Sequence, residues 1–294
     1  MSIRRTFDQK ILTLFAYLIV GIFALIALLP FYVMIVGSFT SEHAIVNYGY
    51  SFFPKELSLD AYKMVFVIPE RIIRAYGITI LVTTVGTILS LLLGSMASYT
   101  LYRKDVKYRN HLAFFLYFTT LFNGGLASYY IVLSKYLHLK NTIFVLLLVP
   151  MFNVLWILIL RNFLRGSIPD ELLEAGKIDG LGDFGLYLRI ILPLFKPALA
   201  SIGLFTALQY WNDWWTPMMF VERDVLWPLQ YVLYQILSSV NITANMINNL
   251  AIFNLPKESL KLALTVVSTG PIIFLYPFVQ KYFVRGITLG SIKG

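Results

Sequence analysis

EAGKIDGLGDFGLYLRIILP, residues Glu174–Pro193, is a charged, glycine-punctuated stretch between two long apolar runs. Its local chemistry predicts a short helix followed by a tight turn. Ser167 is placed to cap the N-terminus, with Asp170 three residues on as a short-armed capping box. Pro169 falls in the first turn, where its missing N–H costs nothing. Asp170, Glu171 and Glu174 crowd the positive end of the helix dipole. Leu172, Ala175 and Gly176 are expected on one face, with Glu171 and Glu174 on another. Gly180 then ends the helix in a left-handed conformation. Two readings fit this pattern: an amphipathic connector on a membrane surface, or a helix on which another protein docks.

The whole chain has the composition of a membrane protein. Of its 294 residues 58% are hydrophobic and only 13% are charged, more apolar surface than a soluble domain carries. Crossing a hydrocarbon core of ~30 Å takes about 20 apolar residues. Stretches of that kind run over Ile11–Phe39, Ala75–Tyr102, Leu112–Ser134, Asn141–Leu160, Pro197–Val221 (broken by Asp213) and Leu262–Gln280. The first is too long for a cleaved signal peptide and lacks a small-x-small site, so it is expected to be a retained span. Val225–Val240 is short, carries Gln230 and Gln235, and runs into NITANMINN. It is expected to lie as an amphipathic helix at the interface.

The charges orient these spans. With six spans and the N-terminus inside, the cytoplasmic segments hold 15 of the 24 basic residues: Arg4, Arg5, Lys10, Arg103, Lys104, Lys107, Arg109, Arg161, Arg165, Lys177, Arg189, Lys196, Lys281, Arg285 and Lys293. A seventh span would put the last three outside, against the positive-inside rule. The fold expected is therefore all-α and integral to the membrane, with six transmembrane helices and both termini cytoplasmic. Residues 1–294 form one membrane domain, and the Glu174 loop faces the cytoplasm. Trp227 and Tyr231 then fall near the outer interface, and the outside loops Ser38–Arg74 and Glu222–Lys261 are long enough to meet a partner. The net charge of +9 is dispersed between apolar runs, which argues against nucleic acid.

Catalytic chemistry is not legible. There is no cysteine, and none of His43, His111 and His138 has a partner at metal-ligand spacing. No G-x-x-x-x-G-K-[ST] loop occurs, so ATP hydrolysis by that route needs another polypeptide. Gly124-Gly125, Pro150, Pro271 and Pro277 lie inside spans, as packing and kink sites or as hinges. The acid inside a span is Asp213, in YWNDWWTP. Gln209, Tyr210, Trp211, Asn212, Asp213 and Trp214 form a polar and aromatic group suited to a sugar path. Aromatic faces stack on sugar C–H faces, and the amide and carboxylate bind hydroxyls. At 100° per residue Tyr210 and Asp213 share one face and Trp211 and Trp214 the adjacent one. The competing reading is an outer aromatic belt with Asp213 snorkelling outward.

The Glu174–Pro193 segment resembles the EAA loop of ABC-importer permeases, through Glu174-Ala175-Gly176, Asp179-Gly180 and Leu192-Pro193. Gly176 stands where Ala is usual. The wider chain is similar to carbohydrate-uptake permeases of the maltose-transporter small-subunit type, nearest the branch of lipoprotein-like, alginate and pectic oligosaccharide permeases. That likeness is carried by GSFTSEHAIVNYGYSFFPKELSLDAYK (Gly37–Lys63), the pair Trp211-Asn212 and the tail KYFVRGITLGSIKG (Lys281–Gly294). The resemblance implies the type I importer fold, with a coupling loop over about 165–193. Glu171, Glu174, Ala175, Gly176, Asp179 and Gly180 would contact an ATPase. It also implies a second related permease as heterodimer partner, two copies of the ATPase, an extracellular solute-binding protein and a carbohydrate substrate, in a bacterial cytoplasmic membrane. This chain would hold no cofactor, ATP and Mg²⁺ belonging to the ATPase. The rival classes are an ion-coupled secondary carrier, disfavoured by spans almost free of ionisable groups, and a non-transporting membrane scaffold.

Overall fold

The computed structural model describes residues 7–67, 69–246 and 256–290, with side chains described as far as Ile273. Among these residues the chain is all helical, apart from one isolated bridge between Thr40 and Leu57. The helices are α1 (Phe7–Ser38), α2 (Glu42–Tyr48), α3 (Asp60–Val65), α4 (Pro69–Tyr102), α5 (Arg109–Leu121), α6 (Leu126–Ile131) and α7 (Ile143–Met151). They continue as α8 (Val154–Ser167), α9 (Asp170–Ile178), α10 (Asp183–Leu186), α11 (Leu192–Trp211), α12 (Trp215–Phe220), α13 (Leu229–Met246) and α14 (Lys257–Gly290). They fall into two compact units. One comprises the chain up to Pro69 with Ile236–Pro271, the other Glu70–Gln235 with the chain from Ile272 on.

Among the described residues, three stretches are long and apolar enough to cross a membrane: Asp8–Ser38, Pro69–Tyr102 and Asp183–Trp211. The pair α7 and α8, bent by 47°, makes a fourth when taken as one span. Helix α1 keeps none of its most apolar window buried in the protein, and a helix that is apolar all round without protein cover belongs in lipid. The expected third span, Leu112–Ser134, is not one helix. It stops at Leu121, where Phe122 turns extended, and resumes at Leu126 after Gly125, whose φ of +84° is one that glycine adopts without strain. Its N–H is met by the Asn123 side chain at 2.8 Å. The tail from Lys281 is helical through Gly290. The side chains of Lys281 and Arg285, and the residues Lys293 and Gly294, lie outside the described residues, as do Ile247–Asn249 of NITANMINN.

In the first unit the segment after α1 is tied down by polar contacts. Ser41 caps α2 through Ala44 N–H (3.2 Å). The Glu42 carboxylate accepts from the N–H groups of Glu258 (2.9 Å) and Ser259 (3.0 Å) and from the Ser259 hydroxyl (2.9 Å). It thereby satisfies free donors at the start of α14, where the dipole also favours an anion.

In the second unit α4 is the central element. Its residues Gly86, Ser90, Gly94 and Ser98, spaced by four, are all buried, the small-residue stripe that lets membrane helices approach closely. A Cβ on Gly86 would stand 2.4 Å from the Tyr210 ring of α11. The serines serve the bent pair beside them. Ser90 donates to the Met151 carbonyl (2.6 Å), left free where α7 ends, and Ser98 to the Ile157 carbonyl (2.9 Å). One apolar cluster, including Tyr99, Leu160, Leu164, Tyr187 and Phe195, fills one end of this unit. Another, including Val82, Leu146, Leu147, Tyr210 and Phe220, fills the other.

Gly86→Ala is expected to destabilise the α4–α11 contact by about 1–3 kcal/mol. Gly77→Ala on the same helix, where an added Cβ meets nothing within 4 Å, serves as the control. Thermal unfolding of the purified protein in detergent should drop for the first variant only; equal unfolding temperatures would contradict the close approach.

Candidate functional site

The Glu174 loop is built as a capped helix pressed onto a core. Helix α9 ends in a pair of reversed hydrogen bonds: Gly180 N–H to the Lys177 carbonyl (3.0 Å) and Leu181 N–H to the Gly176 carbonyl (2.9 Å). Gly180 has φ +80°, the left-handed stop its position in the sequence predicts. The helix start differs from expectation. Ser167 is the last residue of α8, and α9 begins after Pro169 with no side-chain cap. Its first turn instead gains a charge contact, since Lys104 pairs with Asp170.

The faces of α9 are also redistributed. Gly176 is buried, but Leu172 and Ala175 are exposed, and Leu173 is the residue that packs on the core with Gly176. The helix was expected to rest on Leu172, Ala175 and Gly176. It is rolled by the close approach of the following helix, whose Leu186 and Ile190 side chains would lie 2.5 and 2.7 Å from a Cβ on Gly176. An alanine there would need the ends of the Leu186 and Ile190 side chains to shift. The outward face then presents Glu171, Glu174 and Ala175 with Leu172, and beyond them Asp179, Ile178 and Phe184, all exposed.

A second segment holds this loop, one that the sequence did not single out. At the end of α4, the Tyr102 hydroxyl donates to the Ile168 carbonyl (2.9 Å). Arg103 pairs with Asp183 at the start of α10 (2.5 Å) and with Asp105 (Nε to Oδ1, 2.8 Å). Lys177 of α9 joins Asp105 at 2.9 Å. The Arg103 side chain is only 11% exposed and lies over the Tyr99 ring at 5.6 Å. The hydrogen bond from Arg103, then that from Lys177, holds the Asp105 carboxyl well below the usual carboxylate range.

The Asp213 region lies where α11 breaks. The helix stops at Trp211, Asn212–Trp214 are non-helical, and α12 starts at Trp215. Asp213 Oδ1 accepts from Thr216 N–H (3.0 Å) and so caps the first turn of α12. The Asp213…Pro217 pattern is a helix-start signal legible in sequence. Because the helix breaks, Tyr210 and Asp213 do not share a face, nor do Trp211 and Trp214. Tyr210 is buried, its hydroxyl donating to the Leu147 carbonyl (2.6 Å). Trp211 is buried, its ring centroid 6.4 Å from that of Tyr76. The structure brings Gln209, Asn212, Asp213 and Trp214 together, and adds Val149, Pro150, Trp215 and Thr216, around an open pocket of ≈ 330 Å³. Val149 and Pro150 come from the bend between α7 and α8. Trp227 Nε1 donates to the Val221 carbonyl (3.0 Å), and Tyr231 is buried.

This chain is similar to curated bacterial proteins over nearly all its length. It is 38% identical to "Protein LplC" of Bacillus subtilis over 92% of this chain and 90% of that one. It is 37% identical to the polygalacturonan/rhamnogalacturonan transport system permease protein YtcP of the same species, over 96% and 99% of the two chains. The chain belongs to the permease family of carbohydrate ABC importers. Arabinooligosaccharides permease AraQ of Halalkalibacterium halodurans is 29% identical over 92% of this chain and 93% of that one. A crystal structure of a bacterial ABC transporter involved in the import of the acidic polysaccharide alginate matches 96% of this chain and 100% of its own with TM-score 0.77 and 28% identity. No protein-family model matches the chain. Within this family the chain is an integral membrane protein whose role is transport.

Asp105→Asn tests the clasp. A carboxyl held below its ordinary pKa of 3.8 stabilises the folded loop fully above that value, and the contribution is lost as pH falls below it. The half-exposed setting of Asp105 makes the effect small. Hydrogen exchange of amides 170–183 should be several-fold faster in Asp105→Asn at pH 7, and the difference from wild type should persist at pH 5 and shrink only well below pH 3.8. Identical exchange at pH 7 would remove the ion pairs from the loop's support.

Proposed function

We propose that this chain is half of the translocation pathway of an ATP-driven importer of oligosaccharides or polysaccharide fragments, one permease domain over residues 1–294. The charge bias and family membership support six spans, both termini in the cytoplasm and a bacterial cytoplasmic membrane. A second related permease completes the pathway, two ATPase copies bind ATP and Mg²⁺, and an extracellular solute-binding protein delivers the sugar. This chain needs no cofactor.

The observation that carries the coupling role is the outward face of α9. Glu171 and Glu174 stand beside the exposed apolar Leu172 and Ala175 on a helix fastened at both ends. A mixed acidic and apolar face that is exposed among the described residues suits a protein partner. Its fastening to α4, which also touches Tyr210 at the pocket end, supports a mechanical link. Movement of the ATPase displaces α9 and α10, the clasp carries this to α4, and the packing around the pocket shifts. No carboxylate or base in the chain has to move a proton for this cycle.

The path role falls to Gln209, Asn212, Asp213, Trp214, Trp215 and Thr216. An indole surface and amide groups beside an open cavity hold a sugar by stacking and hydrogen bonds without enclosing it, as a conduit requires. Tyr210 and Trp211 support the path from behind.

Two measurements test these roles. Glu174→Lys should lower sugar-stimulated ATP hydrolysis of the reconstituted complex at least tenfold while membrane insertion stays intact. Wild-type stimulation would take Glu174 out of the contact, and sugar uptake without ATP would favour an ion-coupled carrier. The absence of native cysteine makes single-cysteine labelling direct. Gln209→Cys should react with a water-soluble maleimide and be slowed by the transported sugar, while Thr206→Cys, buried one turn below, stays unreactive. Equal reactivity at both positions would refute the pocket as the aqueous path.

A further inference from the structure

Helix α13 was expected to lie along the membrane interface, yet its first two turns pack behind the pocket. Its start is anchored, since Leu229 N–H donates to the buried Thr79 hydroxyl of α4 at 2.8 Å. Gln230 and Tyr234, four residues apart, share a face of α13, and each touches a residue of the pocket rim. Gln230 Nε2 donates to Asn212 Oδ1 (3.3 Å). The Tyr234 ring stacks on Trp214 with centroids 4.9 Å apart and planes inclined by 22°. Behind it, Tyr231 lies nearly parallel to Tyr234 (6.3 Å, 15°) and meets Trp227 edge-on (5.0 Å, 79°). Gln235 Nε2 donates to the Tyr231 hydroxyl at 2.5 Å. The rings form a ladder running from the packed interior to Trp214.

Trp214 and Asn212 need such support. Both sit in the non-helical break between α11 and α12, where no regular backbone restricts them, and both line the cavity. Trp214 remains 41% exposed after stacking on Tyr234, so an indole surface is left open at the cavity. The Asn212 amide is oriented from both ends: its Nδ2 donates to the Leu208 carbonyl (2.9 Å) and its Oδ1 accepts from Gln230.

We propose that Tyr234 and Gln230 are positioning residues that hold Trp214 and Asn212 as a preformed platform for one pyranose ring of the transported glycan. The ring's C–H face stacks on the open indole surface, and its hydroxyls meet the polar groups of Asn212, Asp213 and Gln209. Holding Trp214 in one rotamer before the sugar arrives removes an ordering cost from a weak, transient binding event. This inference rests on the pocket being the sugar path.

The test uses the assembled complex carrying the single cysteine Gln209→Cys, with oligogalacturonides and alginate oligosaccharides, both built of pyranose rings, as probes. The reading is the probe concentration that halves the labelling rate. Trp214→Ala should raise it, and Tyr234→Ala and Tyr234→Leu should each raise it about twofold to tenfold, the range expected from one aromatic stack. Tyr234→Phe keeps the ring and should restore the wild-type value. If Trp214→Ala raises the value and the Tyr234 variants do not, the positioning role is overturned while the path reading survives. A Tyr234→Phe value matching Tyr234→Ala overturns it too, by assigning the effect to the hydroxyl. If neither probe slows labelling, or Trp214→Ala leaves the value unchanged, the path reading itself fails. An unreactive Trp214→Cys in the assembled complex would show the indole site covered by the sister permease and overturn both. Co-purification of the complex accompanies every variant, and Tyr234→Leu, which keeps bulk without a ring, decides the question if Tyr234→Ala does not assemble.

Discussion

A helix that breaks inside hydrocarbon must find partners within the protein for the backbone groups it frees. This chain breaks its helices repeatedly, at residues 122–125, 152–153 and 212–214, and much of its polar chemistry answers that constraint. Ser90 meets the carbonyl released at Met151, Asn153 caps the restart of the bent pair through Leu155 N–H (3.0 Å), Asn123 meets Gly125, and Asp213 caps α12. The residues that look functional by type are therefore first of all structural. Asp213 is both cap and pocket wall, and the break it stabilises is what opens the cavity.

Helix α4 connects the consequences. Its stripe of small residues lets the bent pair and α11 come close enough for side chains of α4 to reach their backbones. At one end Gly86 lies against Tyr210; at the other Tyr99, Tyr102 and Arg103 reach the Glu174 loop, with Ser95 hydrogen-bonded to Tyr187 (2.7 Å) between them. A single rigid helix thus touches both regions that a coupled transporter has to connect. Its buried face between Val82 and Tyr99 carries only Gly86, Ser90, Gly94, Ser95 and Ser98, which sets the distance between the helices.

The Glu174 loop shows how local and tertiary terms divide. The left-handed stop at Gly180 is a property of glycine next to a helix end, and it stands where the sequence places it. The roll of α9 is different. Leu172 or Leu173 could each face inward by periodicity, and the choice falls to Leu173 because Leu186 and Ile190 press on Gly176. The cap expected from Ser167 is lost because α8 runs on through that residue, and Lys104, distant in sequence, takes over at Asp170.

The sequence alone determined the all-helical membrane character, the limits of the α1 run to within a few residues, the end of α4 at Tyr102, the Asp179-Gly180 turn and the family, whereas the run expected over Pro197–Val221 is broken after Trp211. Each depends on composition or on contacts within a few residues, which the order of amino acids states directly. The tertiary structure decided which side of α9 is presented, that Arg103 and Asp105 hold the loop, and that Tyr210 and Trp211 are buried while Trp214 is open. It also turned α13 inward to stand behind the pocket. These outcomes depend on helix breaks and on how closely helices approach. A break of three residues rotates everything after it, so a face assigned at 100° per residue holds only until the helix ends.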